Sequence, residues 1–417
     1  MNSPAIHAGM SGSPAVHAGM SGSPAVHAGM SGSPAVHAGS RLSGKAVIAG
    51  IGHTAFGKLP GRSTVSLNVE AIRKALADAG VEKNQVDALF VKAPTSRFEM
   101  MYGQKLAEAL GLQPKIGGIW DNAGASNNAM ISYAAMAIDA GQCDIAIVSL
   151  ADNPATGTRQ AYEKSYGADD SAVFGWFSVP AGYAMLAQRH LQQYGTPIDG
   201  LGAIAMASRN HGANNPHAQL RKPLTLEQYR AAKMLIEPFR RDDCCLVSDG
   251  AAAVIVMSAE RAKQLKVPKP VAVLGFGQGQ TSWDVALRPD LTTTAAKTSA
   301  ATAFAMAQLT PKDIDVAQIY DCFTICALMT LEDYGFCAKG EGGRWVQGGR
   351  IELGGELPIN TSGGLLSETG MPGLQLVLEG VRQLRGDSIN QVKGARKCVV
   401  SGQGGIMHTH ATLILGN

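Results

Sequence analysis

No run of 18 consecutive apolar residues occurs among the 417 positions, so no segment is expected to span a bilayer. The N-terminus also lacks a charged region followed by a short apolar stretch, and no secretory signal is expected. Cysteine is sparse: the seven residues at 143, 244, 245, 322, 326, 337 and 398 show no C-x2-C spacing. That pattern excludes a disulfide framework or a zinc site and predicts reduced, packed thiols and no metal centre. Surplus charge is small as well, since 36 Lys and Arg stand against 33 Asp and Glu for a net +3. With no block of five or six like charges, the chain is not read as a nucleic-acid binder. Aromatics make up only 6% of a chain that has 50 glycines, which favours the tight turns of an α/β enzyme over an all-β adhesion module. These absences together predict a cytoplasmic protein.

What is present is a chain able to bury a large core, with 45% hydrophobic and 17% charged residues, enough for two or three folded units. Residues 1–40 are four near-copies of a ten-residue unit, SGSPAVHAGM in its commonest form, which places His7, His17, His27 and His37 at equal intervals. The units are too short and too poor in bulky apolar groups for a solenoid. They read as a disordered tail, and the histidines as tandem expansion rather than a metal site.

Past residue 45 the pattern repeats itself. KAVIAGIGHTAF (45–56) reads as a buried strand, an amphipathic helix follows with Leu67, Ala71, Ile72, Ala75, Leu76 and Ala79 on one face, and VDALFV (86–91) is a second strand. VAVLGFGQG (271–279), a small-residue helix near 294–308 and DIDVAQIYDCF (313–323) give the same order again. The helix-to-strand pairs at 126–150 and 372–405 extend the match. Such crossover units predict largely parallel central sheets covered by helices. The expected organisation is a tail at 1–44, halves at 45–265 and 266–417, and a loop domain at 153–244 inserted in the first half as a lid. Its Arg159, Arg189, Arg209, Arg221, Arg230, Arg240 and Arg241 are candidates for phosphate recognition.

The duplication, the long insert and the segments DDCCLVSDGAAAVIV (242–256), IYDCFTICALMTLEDYG (319–335), GGELPINTSGGLLSETGMPG (354–373) and SGQGGIMHTHATLIL (401–415) together resemble the thiolase superfamily. The nearest branch is the sterol-carrier-protein-type thiolases and the thiolase-like lipid-transfer-protein aldolases. This resemblance implies an α/β duplicated thiolase fold, two βαβαβαββ halves in α-β-α-β-α layers with the loop domain inserted. It also implies acyl-CoA substrates, coenzyme A as part of the substrate and no permanently bound cofactor. A homodimer is implied too, joined in some members by a small partner with an OB fold and zinc ribbon.

The motifs depart from thiolases where the chemistry resides. The nucleophilic cysteine position aligns with Gly124 in G-A-S-N, the N-E-A-F motif becomes Tyr320, Asp321, Cys322 and Phe323, G-H-P becomes Gly370, Met371 and Pro372, and the second cysteine becomes Ser401. In the aldolases the resemblance assigns acid/base work to the tyrosine of Y-D-x-F, here Tyr320; their second tyrosine would fall near Gly370 and is absent. The alternative for Tyr320 is a core residue with a satisfied hydroxyl. His408 and His410 are either proton shuttles sharing one face of a strand or core histidines. Ser126 is either a helix N-cap or a nucleophile. Oxyanion donors are sought at Asn127 and in the glycine loop carrying Gly404 and Gly405. The sequence therefore favours retro-aldol cleavage of a bulky steroid or aromatic acyl-CoA. A thiolase of benzoylsuccinyl-CoA type and a noncatalytic acyl-CoA-binding subunit remain open.

Overall fold

Strand β1 (Ala46–His53) is buried along nearly its whole length, as a continuous apolar run covered on both faces must be. The helix that follows, α1 (Thr64–Ala79), starts where the Ser63 hydroxyl accepts from the N–H of Ser66 and stops where Gly80 turns left-handed. Its buried face includes Leu67, Ala71, Ile72, Ala75, Leu76 and Ala79, the six positions that the periodicity marks. The chain, seen here as a computed structural model describing residues 40–158, 176 and 178–417, continues with β2 (Ala88–Lys92), α2 (Tyr102–Leu110), β3 (Ile116–Trp120), α3 (Ser126–Asp139) and β4 (Ile145–Asp152). The ten-residue repeats fall outside the described residues.

Between β4 and β7 (Gly250–Ser258) lies an excursion. It holds α4 (Val179–Tyr194), α5 (Ile198–Asn214), α6 (Leu226–Ala231) and a small hairpin of β5 (Met234–Ile236) and β6 (Phe239–Arg240). After α7 (Ala259–Gln264) the second half runs β8 (Val271–Gln280), α8 (Ala296–Ala307), β9 (Val316–Gln318), α9 (Thr324–Asp333), the single turns α10 (Gly342–Trp345) and α11 (Gly364–Ser367), α12 (Gln375–Arg385), β10 (Lys397–Gly404) and β11 (Thr409–Gly416).

Nine of these strands form one sheet in the order β3-β2-β4-β7-β1-β8-β11-β10-β9. The halves meet where β1 and β8 pair through Val47 with Ala272 and Ile48 with Val271. Within each half the last strand inserts between earlier ones: β7 lies between β1 and β4, and β11 between β8 and β10. That insertion corrects the expectation of largely parallel sheets. Pairs β2–β3, β2–β4 and β9–β10 are parallel, while every contact of β7 and β11 is antiparallel because these strands arrive from the opposite end.

The cores define the layers. Side chains of α1 and α2 pack on one face of the first half. Met130, Ile131 and Ala134 of α3 and Leu376, Val377 and Val381 of α12 form a middle layer with strands of both halves. On the outer face of the second half, α8 and α9 share a core with Leu186, Leu201, Tyr229 and Phe239 of the excursion. The result is the layered α-β-α-β-α order, and the excursion shares its core with the second half. Among the described residues no helix is long and apolar enough to cross a membrane.

Strand β9 is shorter than the run 313–323 suggested. Beyond Gln318 the side chain of Asn360 takes over both backbone groups of Ile319, accepting from its N–H at 2.7 Å and donating to its carbonyl at 2.8 Å. A side chain replaces the neighbouring strand, and the chain is free to turn.

Candidate active site

Where β3, β9 and β10 end, three segments converge: the loops 121–125 and 319–323, and residues 401–405, the last residues of β10 with Gly405. The first is fixed by side chains that accept from its backbone. Asn122 N–H donates to the Ser126 hydroxyl at 2.8 Å, Ala123 N–H to Asp121 at 3.2 Å, and Ala123 holds a positive φ of 46°. A non-glycine residue in that region costs roughly 1–2 kcal/mol, so the surrounding contacts must impose the turn. The end of β10 lies directly against it: a Cβ on Gly404 would stand 2.1 Å from the Asn122 carbonyl oxygen, which is why only glycine fits there.

Tyr320 enters from the second loop on a rigid mount. Its N–H donates to the Ser401 hydroxyl at 2.7 Å, Asn360 grips the preceding Ile319, and the following Asp321 carboxylate accepts from Leu365 N–H at 2.7 Å and from the Ser208 hydroxyl at 3.2 Å. Asp321 is wholly buried, and burial pushes its pKa up to about 6. The phenol ends against Gly124. A Cβ built there would lie 2.3 Å from the Tyr320 hydroxyl oxygen, 2.4 Å from its ring Cζ and 2.3 Å from the carbonyl oxygen of Gln403. On another side of the ring, a Cβ on Gly373 would meet Tyr320 at 3.2 Å and the Asn127 amide nitrogen at 3.0 Å. The Asn127 amide donates to the Pro372 carbonyl at 3.3 Å, and its buried Oδ1 has no hydrogen-bond partner among the described residues.

The remaining sequence candidates sort themselves by contacts. Ser126 is not an N-cap: it is the first residue of α3, Ala125 precedes it as the cap, and its hydroxyl is used on Asn122. His408 and His410 do not share a strand face, because β11 begins only at Thr409. His408 accepts from Ile406 N–H through Nδ1 at 2.7 Å, so Nε2 carries the proton and donates to the Trp283 carbonyl at 2.5 Å; the ring also stacks on Trp283. His410 shares a hydrogen bond of 2.9 Å with the Tyr334 hydroxyl in the core, and its Nδ1 has no partner among the described residues. Burial lowers the pKa of His408 to about 4 and of His410 to about 3, so both rings are neutral near pH 7. Gly405, at φ 61°, begins the turn that His408 closes. The Gly370 N–H donates to the Ser248 hydroxyl at 3.2 Å, and Leu246 backbone leaves no room for a side chain.

The thiols in this neighbourhood are shifted away from the thiolate form. Burial raises the pKa of Cys322 and Cys245 well above the usual thiol range and that of Cys244 to about 12. Cys322 and Cys326 face each other at 3.5 Å as free thiols. Of the arginines expected to meet phosphate, Arg209 and Arg241 pair with Asp242, Arg230 pairs with Asp199, and Arg240 donates to the Ala232 carbonyl. Arg159 lies outside the described residues. Arg189 and Arg221 are exposed.

Comparison with known proteins agrees with the fold. Residues 277–417 match the family described as thiolase C-terminal domain-like. The chain is 37% identical over 391 residues to the 17-hydroxy-3-oxo-4-pregnene-20-carboxyl-CoA lyase of Mycobacterium tuberculosis, covering 90% of this chain and 100% of that one. The chain belongs to the thiolase superfamily. Another member, the steroid side-chain-cleaving aldolase of Thermomonospora curvata, is 35% identical over 400 residues, which is 90% of this chain and 99% of its own. Among solved structures, the Ltp2-ChsH2(DUF35) aldolase superposes with a TM-score of 0.82 at 34% identity, over 90% of this chain and 98% of that one.

Within this thiolase-superfamily chain, the structure brings Gly124, Asn127, Tyr320 and Gly404 to one place and leaves His410 in the core. Sequence reasoning missed Gly373 and Gln403 as neighbours of the phenol, and Asn360 as the side chain that holds Ile319. Asn360 and Gly373 stand inside the motif 354–373, so their segment was flagged, but nothing in the pattern said which side chain would hold Ile319.

Proposed function

We propose that the chain is a carbon–carbon lyase that cleaves β-hydroxyacyl-CoA thioesters by a retro-aldol step. The observation that carries this reading is the occupation of the nucleophile position. The space where a residue-124 side chain would begin is filled by the Tyr320 hydroxyl, which supports reading the phenol as standing in for the thiol that the family resemblance assigns to this position.

The reaction needs no covalent nucleophile. Tyr320, as phenolate, takes the proton of the β-hydroxyl; the Cα–Cβ bond breaks, its electron pair moves into the thioester enolate, and a carbonyl product forms at Cβ. The proton gained by Tyr320 is the one that Cα needs to give the shortened acyl-CoA, so a single phenol balances the step without a second tyrosine near Gly370. The backbone N–H of Gly405 and the Asn127 amide are the donors proposed for the enolate oxygen. His408 and His410 are read as structural.

The names of the relatives support the substrate class, since the Mycobacterium tuberculosis lyase is named for a hydroxylated pregnene carboxyl-CoA. A bulky acyl group, coenzyme A as part of the substrate and no resident cofactor are proposed for this chain on that basis. Arg189 and Arg221 are the proposed contacts for the nucleotide phosphates. A homodimer is proposed through β3, an outer strand of the sheet, where Ile119 is exposed and the neighbouring Trp120 meets the exposed Tyr133 of α3 with ring centroids 4.9 Å apart. A DUF35-type small partner with an OB fold and zinc ribbon is proposed by analogy with the Ltp2-ChsH2(DUF35) aldolase.

Incubation with a panel of bulky β-hydroxyacyl-CoA thioesters, followed by mass spectrometry of products and intact protein, tests the function. The expected result is a shortened acyl-CoA plus a ketone or aldehyde from unmodified protein. A covalent acyl-enzyme would mean thiolysis, and binding without products a noncatalytic subunit.

A further inference from the structure

Helix α4 of the excursion reaches the site through one side chain. Tyr183 is buried on α4, its ring stacked on Phe323 with centroids 4.5 Å apart, and Phe323 stacks in turn on Phe239 at 5.2 Å. Its hydroxyl donates to the carbonyl of Gly405 and accepts from the Gln403 amide nitrogen at 2.8 Å. That same amide nitrogen reaches the Gly405 carbonyl at 2.9 Å, so the two side chains close a ring around the backbone of residues 403–405. The Cys322 thiol points into this ring, 3.5 Å from the Tyr183 oxygen and 3.4 Å from Gln403 Oε1. Next to Tyr183, Gly182 approaches Ile406 so closely that a Cβ would stand 2.2 Å from its Cδ1.

Both sides of that ring bear on the phenol of the site. The Gln403 carbonyl oxygen crowds the same point beside Gly124 as the Tyr320 hydroxyl, and Cys322 follows Tyr320 by two positions. From the opposite flank the turn is held by His408 on the Trp283 carbonyl and by Arg288 on the Ile406 carbonyl at 2.7 Å. Burial holds the Tyr183 phenol well above the usual range, so it stays a hydrogen-bond donor.

We infer that Tyr183 is a positioning residue: from the inserted helix α4 it fixes the 403–405 backbone against Gly124 and Tyr320, coupling the docking of α4 to the geometry of the site. Its kinetic consequence rests on the retro-aldol reading, whereas its structural consequence does not.

Tyr183→Phe keeps the stack on Phe323 and removes only the hydroxyl. Backbone amide exchange over residues 404–408 should then accelerate about fivefold or more, with α1 unchanged, because local opening reports local clamps. In the full-length enzyme kcat should fall about tenfold with KM nearly constant, as a misplaced reacting group demands. Gln403→Met, which removes the amide end at similar volume, should loosen the same turn and serves if Tyr183→Phe does not fold. Unchanged exchange at 404–408 in a folded variant overturns the inference. Absence of lyase turnover in the unmodified protein would instead sink the retro-aldol reading, and the exchange comparison would still decide the role of Tyr183.

Discussion

Gly124 and Tyr320 are fitted to one another. The phenol can reach its position only because residue 124 has no side chain, and the contacts that oppose a Cβ include the Gln403 backbone, which cannot rotate away. Gly124→Ala should therefore cost about 1–3 kcal/mol of stability, as overpacking does, and displace the phenol. Thermal unfolding alongside turnover checks this, with loss of both expected. A buried acid on the approach to Gly370 gives a second prediction. Glu368 accepts from Ser362 and Asn215, and burial lifts its pKa from 4.5 to about 7. Because the folded value lies above the unfolded one, the stability contributed by this group is complete below pH 4.5 and is lost as pH rises through about 7. Glu368→Gln removes that titration, so the variant should gain on its parent between about pH 5 and about pH 8.5, by up to about 3 kcal/mol at about 1.4 kcal/mol per pKa unit. Denaturant unfolding at the two pH values reads the difference. At this scale the sequence made Tyr320 and Gly124 visible because both sit inside recognisable motifs. It did not reveal Tyr183, whose role depends on Gln403, 220 positions away.

Periodicity located the elements well wherever burial alone decides. The face of α1 and the apolar run of β1 follow directly from hydrophobic spacing. It failed where a side chain substitutes for backbone pairing, as Asn360 does at Ile319, and where strands insert between earlier ones, since spacing carries no information about sheet order. His408 was misplaced for a related reason. Alternation was extended into a turn, and the ring serves there as a clip between Ile406 and Trp283. At the edge of the sheet, β3 carries the prediction that belongs to elements. Ile119→Lys puts a charge on the exposed edge and should convert the proposed dimer to monomer with little loss of secondary structure. Light scattering coupled to size exclusion measures this, and a dimer that persists in the variant would move the interface elsewhere.

Across the whole molecule, the duplication joins two halves of one sheet at β1 and β8, and the two halves share the helices α3 and α12. Their loops therefore meet: Gly124 comes from the first half, Tyr320 and Gly404 from the second, and Tyr183 from the excursion. The repeat was legible in the sequence because both halves use the same order of apolar runs. The meeting of the loops was not, because it depends on how two similar units pack. A phenol in the place of a thiol is the central proposal for this molecule, and replacing Tyr320 by Phe tests it most directly. The change keeps the ring between Gly124 and Gly373 and deletes only the hydroxyl, so the fold should persist. Turnover of a β-hydroxyacyl-CoA should fall by about 10²–10⁴-fold, the scale of a lost general acid/base. Turnover that survives Tyr320→Phe yet is abolished by thiol alkylation, with substrate protecting against the loss, would contradict it.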